Sequence, residues 1–473
     1  MTDQAGDLAD LSAVAVRDLV ATRRVSPVAV MEAALARVAQ HNPAINAIVT
    51  LNPRALDDAR ALERRIARGD DPGPLAGLPV GIKDVTPVAG LRTTYGSPLY
   101  RDHVPDEDAT VVQRLRAAGA VILGKTNCPE FAAGGNTWND VFGRTRNPWD
   151  PTKSAGGSTG GGAAGLAMGM IALAEGTDLG GSLRIPASFC GVVGLRPSVG
   201  LVPTHPYDWV WDTLQVEGPM ARTAEDVALM LQTIAGPSPF APLAQPVSGR
   251  DFVAAVRAGP RADLRIAYCP DLAGIGVDPG IAQVCRDAAA ALGGVRCTVE
   301  EIALDLSHAR PAFLALRGLW FVNWMTPRLA KLDDLGVNVR TNTRAGLETA
   351  TMALGEAERV RGELWHRFRG LLDRFDHLLT PTMAVPPFPV EQNYPDAIAG
   401  RPMATYVDWL APTFVLSLTG LPVASVPCGT DANGLPVGLQ IVGRPRDEEG
   451  VLALAATVQA AHPLGRPGLL APP

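Results

Sequence analysis

Long hydrophobic runs are missing from this sequence. The longest, Ala163–Ala174, covers about a dozen residues and is rich in Gly and Ala. It is too short to cross the ~30 Å hydrocarbon core of a bilayer. The acidic, polar start, Met1 to Asp10, lacks the basic residues and apolar segment of a secretory signal. Cysteine is sparse: Cys128, Cys190, Cys269, Cys285, Cys297 and Cys428 are scattered, with no CxxC pair. That excludes a cysteine zinc site or disulfide frame and leaves packing residues in a reducing compartment, so a cytoplasmic protein is expected. A dominant charge is absent as well. The net charge is −6, from 42 Lys+Arg and 48 Asp+Glu, without a long basic run. Neither nucleic acid nor an anionic membrane is therefore the expected partner. Internal repeats and low-complexity tracts are not found.

What the chain does have is length and apolar content. With 473 residues, 47% of them apolar and 19% charged, it can bury a large core without staples. The first 70 residues read as helical. Ser26-Pro27 is a helix start, followed by Val30, Met31, Ala34, Leu35 and Val38 on one face; Leu56, Ala59, Leu62 and Ile66 mark another helix. From Leu78 onward, short apolar runs (Leu78–Ile82, Ala120–Leu123, Ile171–Ala174, Val192–Leu195) alternate with helical patterns such as Asp108–Ala118. This alternation predicts a largely parallel sheet covered by helices. Thr223 and Asp226 form a capping-box pattern ahead of a helix that stops at Gly236-Pro237. A strand at Leu264–Tyr268, a helix near 280–292 and a strand near 296–302 follow, with helices through about 375. Asn433-Gly434 between Val423–Pro427 and Val437–Val442 predicts a tight turn and an antiparallel pair; a last helix covers about 449–461.

Three motif matches compete in the glycine-rich regions. Gly160, Gly162 and Gly165 fit a dinucleotide-binding GxGxxG, but the preceding Asn147-Pro148-Trp149-Asp150-Pro151 cannot be the strand that turn requires. Gly156-Gly157-Ser158-Thr159-Gly160 fits the GxSxG elbow, yet lacks the same strand and a downstream histidine in a recognisable setting. Gly119–Thr126 fits a phosphate loop, but Ala120-Val121-Ile122-Leu123 is an apolar strand whose N–H groups belong in a ladder, which makes Lys125 a strand-end lysine.

Three segments beside strands remain: Gly81-Ile82-Lys83-Asp84, then Gly156 to Gly161, then Gly176-Thr177-Asp178-Leu179-Gly180-Gly181-Ser182-Leu183-Arg184-Ile185-Pro186. Lys83 and Ser158 are 75 residues apart, Ser158 and Ser182 24. Over Gly156–Pro197, and more loosely over most of its length, the chain resembles the amidase signature family. The resemblance implies an α/β amidase-signature fold, a large twisted mixed, mostly parallel β-sheet covered by helices on both faces. It implies a Ser-Ser-Lys triad: Ser182 as nucleophile, Ser158 as bridging serine in a cis peptide, and Lys83 as base, with no cofactor and no metal. Taken singly these residues say little. A serine after two glycines is commonplace, and a lysine before Asp84 is usually a surface ion pair; the joint pattern carries the assignment.

The chemistry is coherent on physical grounds. A serine hydroxyl becomes nucleophilic when a base takes its proton, and a buried lysine away from carboxylates can be neutral enough to do so. The backbone N–H groups of Leu179, Gly180, Gly181 and Ser182 are the expected oxyanion donors. Asp178 and Arg184 are expected to hold that loop as an ion pair, and the Thr159 hydroxyl to donate as the family's serine would. Gly134, Gly135, Trp138, Trp209, Trp320 and Trp324, with Trp211 and Phe321, lie in segments that relatives use near the substrate channel. They suggest a small-molecule amide with a bulky apolar or aryl group, anilides and carbamates included. The rival within the family is the amidase-type subunit of the amidotransferase that converts mischarged Glu- or Asp-tRNA. It carries Gln at the position of Ile185 and a Ser pair at Gly135-Asn136; both departures favour a stand-alone hydrolase. The organisation expected is an N-terminal helical segment (1–70), a catalytic core (71–236), a small α/β lobe with helices on the channel side (237–400) and a C-terminal part returning to the core sheet (401–473). Some relatives dimerise through their N-terminal helices, so a homodimer is an expectation of the same kind.

Overall fold

A computed structural model of the chain describes residues 8–295 and 297–468. Residues 1–7 of the acidic start and Arg296, at the head of one expected strand, lie outside the described residues. The main sheet has eleven strands. In chain order they are β1 Ile48–Leu51, β2 Pro79–Lys83, β3 Val121–Thr126, β4 Leu173–Asp178, β5 Val193–Arg196, β6 Val216–Ala221, β7 Leu264–Tyr268, β8 Cys297–Glu301, β9 His377–Pro381, β10 Val423–Thr430 and β11 Pro436–Val442. Their order across the sheet is β1-β3-β2-β4-β6-β5-β10-β11-β9-β7-β8.

Both faces of the sheet are covered. Side chains alternate along a strand, so neighbouring residues face opposite sides. Leu378 packs with the helices Arg310–Met325 and Thr351–Leu372, while Leu379 packs with Ala224–Ile234 and Glu448–Ala461. In β3, Val121 and Leu123 share a cluster with the helices Pro27–Ile45 and Gly160–Ala167, whereas Ile122 faces the opposite core. The apolar runs of the sequence are thus strands buried on two sides.

The sheet is mixed, but it is not mostly parallel. β3-β2-β4 and β9-β7-β8 are parallel; every other neighbouring pair is antiparallel. The expectation failed because helices on both faces make an antiparallel strand as apolar as a parallel one, and burial carries no direction. Three strands were also invisible. In β6, Val216-Glu217-Gly218-Pro219 reads as a turn. It is nevertheless a central strand, because β5 pairs with it only at Met220 and Ala221, so Pro219 is spared the ladder bond it cannot make. β1 and β9 are short and carry no alternating pattern.

Local signals were more reliable. Ser26 caps Pro27–Ile45 by accepting from the Val28 N–H, with Val30, Met31, Ala34 and Val38 buried. Thr223 caps Ala224–Ile234, but Asp226 does not complete the box and instead accepts from the Val14 N–H at 2.9 Å, tying down the N-terminal helix. β10 and β11 form the expected antiparallel pair, joined by a five-residue loop in which Asp431 accepts from the Asn433 and Leu435 N–H groups. The phosphate-loop match is β3 itself, with Lys125 fully buried. All six cysteines are buried. Among the described residues no helix is long and apolar enough to cross a membrane.

Candidate active site

The parallel neighbours β2 and β4 end side by side. Lys83 closes β2; Thr177 and Asp178 close β4. Ser158 precedes the helix Gly160–Ala167, whose entry is fixed by Thr137: its hydroxyl donates to the Gly156 carbonyl at 2.8 Å and accepts from the Gly160 N–H at 3.2 Å. The Gly157–Ser158 peptide bond is cis. Two strand ends and one loop therefore converge on a single point.

Lys83 is fully buried, and its Nζ donates to Ser158 Oγ at 2.7 Å and to Thr177 Oγ1 at 2.9 Å. It enters no ion pair among the described residues. Glu175 is close, but its carboxylate accepts from the Lys83 backbone N–H and the Thr86 hydroxyl, both at 3.0 Å, and not from the ammonium. Burial lowers the Lys83 pKa to about 8, against the opposing pull of Cys128, Glu175 and Asp178. The amine is thus a usable base near neutral pH.

Ser182 and Ser158 line one narrow cleft of about 30 Å³. Their loops are tied by a hydrogen bond from the Thr159 N–H to the Ser182 carbonyl at 3.2 Å. The Ser182 hydroxyl itself makes no hydrogen bond among the described residues, so the resting contact joins Lys83 and Ser158 while Ser182 waits beside them. The Thr159 hydroxyl does not donate as expected: it is buried without a partner among the described residues, and its methyl packs where a Cβ on Gly176 would stand.

Asp178 organises the loop that follows β4. Its carboxylate receives Arg184 through two bonds, at 2.9 and 3.1 Å, and Arg196 at 3.2 Å, all three side chains being fully buried. Burial works against its charge, but the two guanidiniums hold it well below the usual carboxylate range. The same carboxylate accepts from the Gly181 N–H at 2.9 Å and the Leu183 N–H at 3.1 Å. Gly181 is therefore engaged, and of the four expected oxyanion donors the N–H groups of Leu179, Gly180 and Ser182 carry no hydrogen bond among the described residues. Gly181 has φ +125°, and a Cβ there would stand 2.2 Å from Thr413 Oγ1; only glycine fits.

The channel residues are dispersed. Gly134 and Trp320 line the cleft at Ser182, together with Leu179, Ile185, Phe313 and Phe321. Trp324 lines an adjoining cavity, and Trp138 lines a separate one beside Gly336–Val339. Trp209 packs against the Trp320–Trp324 cluster, and Trp211 is exposed. Gly135 backs onto Trp409, where a Cβ would meet the ring at 2.5 Å. Thr177, Glu175 and Arg196 were missed. Only cross-strand register reveals the first two, and Arg196 was hidden as an ordinary strand-end arginine. Among the described residues no His/Cys/Asp/Glu cluster could hold a metal.

Comparison with known proteins bears on this geometry. A family model described as Amidase matches residues 29–452. An acylamidase of Rhodococcus erythropolis is 37% identical, covering 98% of this chain and 97% of the relative. The A-type subunit of the glutamyl-tRNA(Gln) amidotransferase of Carboxydothermus hydrogenoformans is 34% identical, covering 94% and 96%. The crystal structure of a bacterial aryl acylamidase of the amidase signature enzymes superposes with a TM-score of 0.89 at 29% identity, over 95% of this chain and 96% of that one.

Proposed function

The chain belongs to the amidase family and is an amide-bond hydrolase, and on that premise we propose that it is a stand-alone serine amidohydrolase that forms an acyl-enzyme on Ser182. The observation that carries the reading is the buried contact between Lys83 Nζ and Ser158 Oγ at 2.7 Å, a base already joined to a relay hydroxyl. Ser182 Oγ attacks the amide carbonyl, passing its proton to Ser158 as Ser158 gives its own to neutral Lys83. The developing oxyanion meets the unengaged N–H groups of Leu179, Gly180 and Ser182, each such donor being worth ~3 kcal/mol at the transition state. The proton then returns through Ser158 to the departing nitrogen as the C–N bond breaks. Water releases the acyl group by the reverse route.

The substrate is an amide with an apolar, aryl-type acyl group, accommodated by the aromatic walls Phe313, Trp320 and Phe321, which must part because the resting cleft is narrow. The same attack extends to carbamates, whose carbonyl carbon presents the same target. The amidotransferase reading has support in the 34% identical relative from that complex. Ile185 in the cleft wall and Gly135 sealed against Trp409, with no space for a serine, support the stand-alone hydrolase. The purified chain is expected to hydrolyse a simple anilide unaided, monitored by release of the arylamine. A requirement for a glutaminase partner and aminoacyl-tRNA would overturn the reading in favour of the amidotransferase.

A further inference from the structure

Next to the cleft at Ser182 lies a second cavity, of about 210 Å³. It adjoins the cleft at Ser182 through Thr177 and Gln215, which line both. Thr177 is the residue whose hydroxyl holds Lys83 Nζ. The cavity thus borders both the cleft that holds Ser182 and the residue that holds the base. Thr177 stands opposite Glu217 in the β4–β6 ladder, and directly opposed residues project to the same face with Cβ atoms ~5 Å apart. Glu217 lines this cavity, is only 4% exposed, and has an Oε2 with no hydrogen-bond partner among the described residues. A buried carboxyl oxygen left without a partner is costly, and no step of the hydrolysis above uses it.

We propose that this cavity is the amine subsite of the enzyme, that it takes an aliphatic amine, and that Glu217 is the group that captures it. The proposal rests on the reading that Ser182 carries the acyl group. Burial and the neighbouring Glu175 push the Glu217 pKa well above the usual carboxylate range, with Arg114 opposing, which favours the protonated acid in a site without amine. Tyr95, Tyr207, Asp208 and Arg328 complete the ionisable lining. The amine leaves the acyl carbon neutral, with its lone pair. It takes the proton of Glu217: the O–H bond breaks, an N–H bond forms, and an ammonium–carboxylate pair results. Without a lone pair the amine cannot attack the acyl-enzyme again. It departs to solvent as an ammonium ion, and Glu217 regains a proton from water. An arylamine is too weak a base to take that proton.

The test uses the full-length protein and one acyl group presented both as an n-butylamide and as an anilide, so that a single acyl-enzyme serves both. Glu217→Gln is expected to lower the butylamide-to-anilide ratio of kcat/KM ~10-fold. It is also expected to weaken inhibition by n-butylammonium ~10-fold relative to the neutral n-butanol, because a charged partner is lost. Both readouts are ratios, so a misfolded fraction does not move them. Glu217→Asp, which keeps the acid, should restore most of each. Unchanged ratios in Glu217→Gln, with wild-type protein still acylated on Ser182, overturn the amine subsite alone. Absence of acylation on Ser182 in the wild type overturns both the subsite and the reading beneath it.

Discussion

At the scale of the residue, the proposed mechanism turns on the charge of one lysine. In it Lys83 acts only as the free amine, and burial lowers its pKa to about 8. Protonation below that value removes the base, so kcat/KM should rise with pH, reach half its plateau near 8 and level off above. A pH–rate profile on a substrate that does not titrate checks this; a rate that is flat from pH 6 to 10 would contradict it. Ser158 joins that base to the nucleophile's surroundings, and its replacement by alanine should slow turnover by ~10²–10⁴-fold, the usual range for loss of a proton-transfer group. Stopped-flow acylation would measure the loss. The sequence singled out both serines and the lysine through glycine-rich segments beside apolar runs, and the structure brings the serines to one cleft and joins Lys83 to Ser158. Thr177, which supplies the second hydrogen bond to Lys83, could not be found that way, since nothing local distinguishes a strand threonine that faces a buried amine from one that faces a core.

At the scale of the element, the loop after β4 is held by a buried carboxylate between two arginines. Asp178→Asn removes the charge and leaves Arg184 and Arg196, both fully buried, without their counter-ion; breaking such a cluster costs about 3–5 kcal/mol. Urea unfolding should show that loss. The folded-state pKa of Asp178 lies below its ordinary value of 3.8, so its contribution is fully present above that value and fades as the pH falls below it. Acid unfolding of the wild type should be steeper below pH ~4 than that of Asp178→Asn. Gly181→Ala asks a residue with a Cβ to adopt φ +125° against Thr413. It should displace the neighbouring N–H donors and cut kcat by at least ~10², while thermal melting shifts by only a few degrees. The glycines and the Asp178–Arg184 pair were legible because they are close in sequence. Arg196 reaches the same carboxylate from the next strand but one, a proximity that only the strand order creates.

At the scale of the whole molecule, the sequence established an α/β enzyme with helices on both faces but misjudged strand direction. Apolar strands such as β5 and β10 look alike whether their neighbours run parallel or antiparallel, and Gly218-Pro219 concealed β6 altogether. That strand matters, because it lies between β4 and β5 and brings Glu217 opposite Thr177. The fold therefore supplies what no motif contains, a polar cavity that adjoins the cleft at Ser182 through Thr177 and Gln215. In the proposed mechanism nucleophile, relay and base all come from this one chain.

The most direct measurement is peptide mapping by mass spectrometry of the protein after reaction with a fluorophosphonate, in wild type, Ser182→Ala and Ser158→Ala. The phosphonyl group should be found on Ser182 in the wild type, on no residue in Ser182→Ala, and on Ser182 at a reduced rate in Ser158→Ala. A phosphonyl group on Ser158, or a labelled Ser182→Ala protein that still turns over an anilide, would contradict the assignment of nucleophile and relay on which the mechanism depends.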